Sequence, residues 1–284
     1  MKKLLPLALL LLSGCLARTS HPALALWRHY EPAAGAHAVN PYLNNIIGLG
    51  LLRKRAHIKE TGEYIQWYFD HLNYPDKHGV TGSMYDYYIG PDGRETAGKG
   101  YDSVDSYAAT FLILLEKYYS VSGDARLVRR NWKKIEDVAF IISYLQDKDG
   151  LVRALPGSDS KYLMDNCECY AGLLAYQRLA EALGYGRQPY YNTVAQAIKT
   201  GIMETLYDRE GGFFYWGLAG GVKSGHDPAV LYPDALAQVF PALHGVTDDP
   251  GPLENFLAVH GTGARGLPPE QRLIVEMAAA KAAR

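Results

Sequence analysis

The chain has 284 residues, with 29 basic against 30 acidic side chains and a formal net charge of −1, a balance with no excess of basic charge to suggest nucleic acid or another polyanion as partner. Its length allows one large domain with a substantial core, or two small ones. The 22 tyrosines are the compositional oddity: each offers a flat apolar face with a polar tip, suited both to stacking on sugar rings and to packing between helices.

The chain opens on a targeting segment, which is set aside before any fold reasoning. Lys2 and Lys3 supply the positive start, and Leu4 to Leu12 form an apolar run too short to span a bilayer. Leu12-Ser13-Gly14-Cys15 resembles the bacterial lipobox. The resemblance implies that residues 1–14 are a signal peptide, that Cys15 is lipidated, and that the lipid holds the protein on a membrane surface without a spanning helix. Leu16, rather than an acidic residue, follows the cysteine, which for a Gram-negative host implies the outer membrane facing the periplasm. Residues 15–37 are expected to be the lipidated cysteine and a tether or N-terminal segment, and residues 38–284 the folded domain. The two remaining cysteines, Cys167 and Cys169, point in different directions on a predicted helix. Neither a mutual disulfide nor a metal site is expected of them, only burial as small residues.

From residue 38 onward the sequence repeats with a period of sixty to seventy residues. Asp76-Lys77-His78-Gly79-Val80, Asp147-Lys148-Asp149-Gly150-Leu151 and Asp208-Arg209-Glu210-Gly211-Gly212-Phe213 are turns of similar chemistry, each after a helical pattern and before a short β-like stretch. A second element recurs in step. Asp102-Ser103-Val104-Asp105-Ser106-Tyr107-Ala108-Ala109 aligns with Asp165-Asn166-Cys167-Glu168-Cys169-Tyr170-Ala171-Gly172 at an offset of 63 residues. Helix character alternates between these landmarks. Tyr42 to Leu52, Tyr107 to Tyr119 and Tyr170 to Ala180 are apolar nearly all round, which predicts helices buried on all sides. Each is followed by a one-sided stripe: Ile65, Tyr68, Phe69 and Leu72; Ile135, Val138, Ala139 and Ile142; Val194, Ala197, Ile198 and Ile202. Alternating buried and amphipathic helices describe two concentric layers, an all-α toroid with short β-hairpins in the rim loops; an open α-solenoid is the competing arrangement.

The chain here resembles the six-hairpin glycosidase superfamily. The residues that carry the resemblance are Tyr101 to Phe111, Met164 to Leu173, the Gly211-Gly212-Phe213-Phe214-Tyr215 strand, and Tyr232 to Gln238, within roughly residues 38 to 245. It implies an (α/α) toroid acting on carbohydrate. Six repeats of the observed length would need more residues than are present; the sequence shows about four hairpins and a last partly apolar segment, Leu273 to Ala280. Either the ring is smaller than six, or the C-terminus is truncated, and truncation is the expectation.

The candidate chemistry lies at the starts of the predicted inner helices. Asp102 and Asp165 stand in N-cap-like positions, with Asp105 and Glu168 three residues on, so a local capping box is the structural alternative to catalysis. The second acid of each pair sits in an otherwise apolar helix, where an unpaired carboxylate is costly and must face a polar cavity or find partners. In an α/α toroid the starts of the inner helices share one rim, which places Asp102, Asp105, Asp165, Glu168 and Asp234 around a single funnel. Glycoside hydrolysis needs one protonated and one ionised carboxyl, and crowding raises the pKa that makes the donor. Asp105 and Asp165 are expected as acid and base, with Glu168 and Asp102 supporting. Carboxyls about 6.5–9.5 Å apart would indicate inversion and about 5 Å retention; the resemblance implies the wider spacing. Substrate contacts are expected from Tyr85, Asp86, Tyr88, Trp216, Tyr232 and Asp234, and Arg153 is expected as a surface or ion-pair group. Ser224-Gly225-His226-Asp227 holds the residue types of a hydrolase triad, but adjacent positions cannot form one. No cofactor or metal is required by these motifs, and the partners expected are a poly- or oligosaccharide and the membrane surface, not nucleic acid. The competing functions are a polysaccharide lyase, which wants a Tyr or His base and a cation for a uronate; a sugar epimerase, which wants histidines in the funnel; and a non-catalytic sugar-binding lipoprotein of a polysaccharide assembly system.

Overall fold

The computed structural model describes residues 21–30, 38–90 and 92–283; the signal peptide and Cys15 lie outside them. The described helices are α1 (Pro22–Tyr30), α2 (Pro41–Arg53), α3 (Ile58–Asp70), α4 (Val104–Ser122), α5 (Ala125–Arg130), α6 (Trp132–Leu145), α7 (Leu163–Ala182), α8 (Pro189–Gly201), α9 (Phe240–His244), α10 (Gly251–His260) and α11 (Pro269–Ala282). A π-turn at Leu231–Ala235 leads into α9. The predicted inner spans fall in α2, α4 and α7, and the predicted stripes on α3, α6 and α8. Ile65, Tyr68 and Phe69, Ile135, Val138, Ala139 and Ile142, and Ile198 and Ile202 are all buried against the inner layer.

Helix α4 packs against α2 and α7, α7 against α9, and α11 against both α9 and α2. Among the described residues, five inner elements thus make a ring whose first and last members touch. Helix α11 joins the two flanks of this ring. Leu273 of α11 fills the space beside Gly50 of α2, where any side chain on residue 50 would collide with it. At the other flank Lys281 Nζ donates to the carbonyls of Ala242 and Leu243, the last turn of α9, at 3.0 Å each. Within the N-terminal segment, α1 packs on α3 and α2, burying Ala23, Leu24, Ala25 and Leu26.

The repeated small residues explain how the ring stays tight. Gly172 of α7 faces Ala109 of α4, positions that align in the two repeats, and a Cβ on residue 172 would lie 2.9 Å from the Ala109 Cα and carbonyl oxygen. Between α2 and α4 the contact is polar: Asn45 Nδ2 donates to Thr110 Oγ1 (3.0 Å) while Asn45 Oδ1 accepts from Tyr64 of α3 (3.0 Å), so a buried amide is satisfied from both sides.

The three repeated turns form as their chemistry dictates. Asp76 Oδ1 accepts from the N–H groups of His78 and Val80, and Asp208 Oδ1 from those of Glu210 and Gly211. Gly79, Gly150 and Gly212 take positive φ (81°, 84° and 67°), so the glycine that matches the other two is Gly212 and not Gly211. Short strands trim the rim in three small sheets: β1 (Ala38–Val39), β2 (Tyr87–Ile89) and β3 (Glu95–Ala97); β4 (Lys161–Tyr162) with β7 (Gly217–Ala219) and β8 (Val222–Ser224); β5 (Tyr207–Asp208) with β6 (Phe213–Phe214). No helix among the described residues is long and apolar enough to cross a membrane.

Because the α4–α7 contact leaves no room at residue 172, Gly172→Ala should destabilise the protein by about 1–3 kcal/mol, the usual cost of overpacking a closed interface. Urea unfolding followed by circular dichroism measures it; an unchanged midpoint would mean that the two helices can part without cost.

Candidate active site

The N-terminal ends of the inner helices open into one cavity of about 690 Å³. Its wall is drawn from all five inner elements: Tyr42 and Leu43 of α2, Ser106 and Tyr107 of α4, Met164 and Asp165 of α7, Tyr232, Pro233, Leu236 and Phe240 at and before α9, and Gln271 and Ile274 of α11. Local structure sets each in place. Asn40 caps α2, accepting from the Leu43 N–H (3.1 Å), and its Nδ2 donates to the Tyr107 hydroxyl (2.7 Å), which donates in turn to Asp86 Oδ1 (2.9 Å). Lys161 in β4 donates to Asp147 Oδ2 (2.8 Å) and Asp149 Oδ2 (2.7 Å), holding the strand that launches α7 against the second repeat turn. Arg153 pairs with the same Asp147 at 2.9 Å, the ion-pair role expected for it. Pairing of Tyr162 with Gly217 then sets Trp216 beside Tyr162, their rings stacked at 6.2 Å on the cavity wall.

Of the ten residues singled out in the sequence, Asp102, Asp165, Trp216 and Tyr232 line this cavity. The others do not, for identifiable reasons. Asp105 is fully buried behind the wall. Glu168 is buried below it, its Oε1 accepting from the Tyr42 hydroxyl (2.9 Å), and it lines a separate cavity of about 300 Å³ at the opposite end of the ring. Asp86 stands behind Tyr107, as its hydrogen-bond acceptor. Tyr85 is spent on stacking with Tyr101 (5.6 Å) and on accepting the Lys77 N–H, and Tyr88 points outward from β2, 56% exposed. Asp234 accepts from the Asp227 N–H (2.9 Å) and lies outside the cavity wall. Nor are the acids helix caps: the N-cap positions of α4 and α7 are Ser103 and Tyr162, with Asp102 before the first helix and Asp165 inside the first turn of the second. Helix α7 starts earlier than α4 relative to the repeat, so aligned acids occupy different places.

The carboxyls are joined by a residue the motif reading passed over. Ser103 Oγ lies 2.7 Å from Asp105 Oδ1 and 2.5 Å from Asp165 Oδ2. Its signal was present, as a hydroxyl set between Asp102 and Asp105, but only the fold shows which acids it reaches. Asn40, Tyr42, Tyr107, Tyr162 and Gln271 were likewise missed, since nothing local distinguishes a lining residue from a packed one. Electrostatics follow from burial. Desolvation, with the Asp102 charge beside it and despite the Ser103 hydrogen bond, lifts Asp165 to a pKa of about 6. Burial and then the Asp165 charge push Asp105 and Glu168 well above the carboxylate range. Among the described residues no Arg, Lys or His lines the cavity, and no group of three or more His, Cys, Asp or Glu has metal-binding geometry. Cys167 and Cys169 are free and buried, as expected.

Asp165 is raised in the folded state, so the stability it contributes is present below the unfolded carboxyl pKa, about 4, and is lost as pH rises through about 6. Asp165→Asn should therefore gain in melting temperature relative to the parent between about pH 5 and pH 7.5. A difference between the two that does not change with pH would show that Asp165 titrates normally.

No protein-family profile matches the sequence, and no curated protein matches it. Solved structures do. A GH78 family rhamnosidase of Bacillus sp. GL1 superimposes with a TM-score of 0.55 at 15% identity, over 78% of this chain and 23% of that one. A rhamnosidase from Klebsiella oxytoca gives 0.56 at 15% identity, over 86% of this chain and 46% of that one. Cellobiose 2-epimerase from Bacillus thermoamylovorans gives 0.50 at 10% identity, over 86% and 72%. This chain therefore spans less than half the length of either rhamnosidase. With helices in two concentric layers and these neighbours, the chain carries the α/α-toroid fold of the six-hairpin glycosidase type.

Proposed function

We propose that the protein is a glycoside hydrolase acting on an envelope or exported polysaccharide, with Asp165 as the general acid and Asp102 as the base or nucleophile. The observation that carries the reading is the cavity wall: two carboxylate side chains, the rings of Tyr107, Tyr162, Trp216 and Tyr232, and, among the described residues, no cation. A carboxyl with a pKa of about 6 holds a proton for the leaving oxygen in mildly acidic and near-neutral solution, while a second carboxylate nearby supplies the negative charge that an oxocarbenium-like transition state needs. The aromatic faces suit sugar rings. Asp105, walled off from the cavity, is removed from direct contact with substrate and takes a supporting part, the reverse of the roles expected for it and Asp102.

The same wall weighs against the other chemistries that this architecture supports. A lyase has to neutralise a uronate with a cation, and an epimerase of the expected kind calls on histidines; the lining offers neither. Two carboxyls and no Arg, Lys or His among the described lining residues also favour neutral or amino-bearing glycosyl units over acidic ones, since a uronate would meet like charge. The lipobox reading completes the proposal: a lipid on Cys15 would hold the enzyme at the outer membrane facing the periplasm.

Asp165→Asn should lower turnover of a cleavable glycan at least ~100-fold while oligosaccharide binding persists, as expected when a proton donor is removed and its shape is kept. New reducing ends from a panel of bacterial polysaccharides, together with calorimetric binding, measure both. Equal turnover by parent and variant would contradict the assignment, and binding without turnover in the parent would favour a non-catalytic sugar-binding protein.

A further inference from the structure

The proton count at Ser103 leads one step beyond the cavity wall. A serine hydroxyl carries a single proton, yet Ser103 Oγ lies within hydrogen-bond distance of two carboxyl oxygens, Asp105 Oδ1 at 2.7 Å and Asp165 Oδ2 at 2.5 Å. Ser103 donates to one of them; the other must bear a proton and donate to Oγ. Surroundings decide which. Asp105 is fully buried, and its remaining contacts are the Ser106 N–H on Oδ1 (2.8 Å) and the Cys169 thiol near Oδ2 (3.9 Å). The titratable groups around the pair are Asp102, Glu168, Cys167, Cys169, Tyr42 and Tyr232, and none of them is a cation. An ionised carboxylate sealed in that place would lack compensation, whereas Asp165 faces the cavity and its water. The order is therefore Asp105 Oδ1–H to Ser103 Oγ, and Ser103 Oγ–H to Asp165 Oδ2.

We propose that Asp105 is a buried proton reserve for Asp165 and that Ser103 is the positioning residue that connects them. This rests on the hydrolase reading for its effect on turnover, but not for its effect on titration. When Asp165 has given its proton to a leaving oxygen, the Ser103 Oγ–H bond breaks as an Asp165 Oδ2–H bond forms, and the Asp105 Oδ1–H bond breaks as the Ser103 hydroxyl is restored. One proton has moved from Asp105 to Asp165, the negative charge has moved the opposite way, and Ser103 ends as it began. The charge left on Asp105 is less well compensated than on Asp165, so this state is short-lived: the Ser106 N–H, the thiol and the Ser103 hydroxyl face it only until Asp165 regains a proton from the cavity and the two transfers reverse. The acid can thus be recharged while a sugar still fills the cavity and keeps bulk water out.

The test compares the full-length chain with Ser103→Ala, Ser103→Thr and Asp105→Asn, with aspartate carboxyl carbons labelled and titrated by NMR. In the parent, Asp105 should remain protonated at neutral pH and Asp165 should titrate near 6. Ser103→Ala, losing the hydrogen bond that favours the Asp165 anion, should move the Asp165 midpoint upward, and Ser103→Thr, which keeps the hydroxyl, should restore it. On a cleaved glycan, Ser103→Ala should lower kcat by ~10-fold or more with KM within about twofold, again with rescue by threonine. A parent Asp105 that is ionised at neutral pH, or an Asp165 midpoint that is the same in parent and Ser103→Ala, would overturn the reserve. If no glycan in a broad panel is cleaved by the parent, the hydrolase reading fails while the titration still decides the proton count.

Discussion

A ring of helices leaves its inner members no water on either flank. Any polar group in such a helix must be satisfied by a neighbouring inner helix, by the loops above, or by the cavity on the axis. The inner helices here carry three carboxyls close together, on Asp105, Asp165 and Glu168, and among the described residues no cation is placed to pair with them. The structure resolves this by sharing protons rather than by pairing charges: Ser103 joins Asp105 to Asp165, and the Tyr42 hydroxyl donates to Glu168. One of the three is turned to the cavity, while the other two stay behind the wall or beneath it. The unequal exposure of chemically similar groups separates their protonation, and that separation is what an acid–base site requires.

The frame that fixes this arrangement is made of small and neutral contacts. Gly172 against Ala109 brings α4 and α7 close enough for a serine on one to reach an aspartate on the other. The Asn45–Thr110–Tyr64 hydrogen bonds align α2 with α4, and Asn40 links the cap of α2 to Tyr107. At the start of α7, the half-buried ion pairs of Lys161 with Asp147 and Asp149 set the strand from which the helix departs. Aligned repeats therefore supply the scaffold, and the positions at which they differ supply the site. Ser103 in one repeat aligns with Asn166 in the other; the first joins two acids, while the second spends its amide on the backbone of Val152 and Tyr162.

Much of the architecture was legible in the sequence. Periodic burial separated inner from outer helices, and the repeated Asp–Gly turns marked their boundaries, because both are local consequences of 3.6-residue periodicity and turn chemistry. The acids at the inner helix starts were visible for the same reason. Their exposure was not. In both repeats the first acid, Asp102 or Asp165, reaches the cavity and the second, Asp105 or Glu168, is buried off it, although α7 begins earlier than α4 relative to the repeat. Tyr85, Asp86 and Tyr88 illustrate the same limit: an alternating strand predicts two faces, but only the completed rim tells which face looks inward. The helix α1 and the bridging role of α11 depend on contacts across long sequence separations, to which single-segment patterns are blind.

The most direct measurement of the whole account is a comparison of neutral and uronic oligosaccharides of equal length, titrated into the full-length protein while the indole signal of Trp216 and the ring signals of Tyr232 are followed by NMR. If the inner helix starts converge on a cation-free, acid-bearing sugar site, neutral ligands that bind will shift both residues, and uronic ligands will bind more weakly or not at all. Tighter binding of the uronic series, or bound sugars that leave Trp216 and Tyr232 unperturbed, would contradict it.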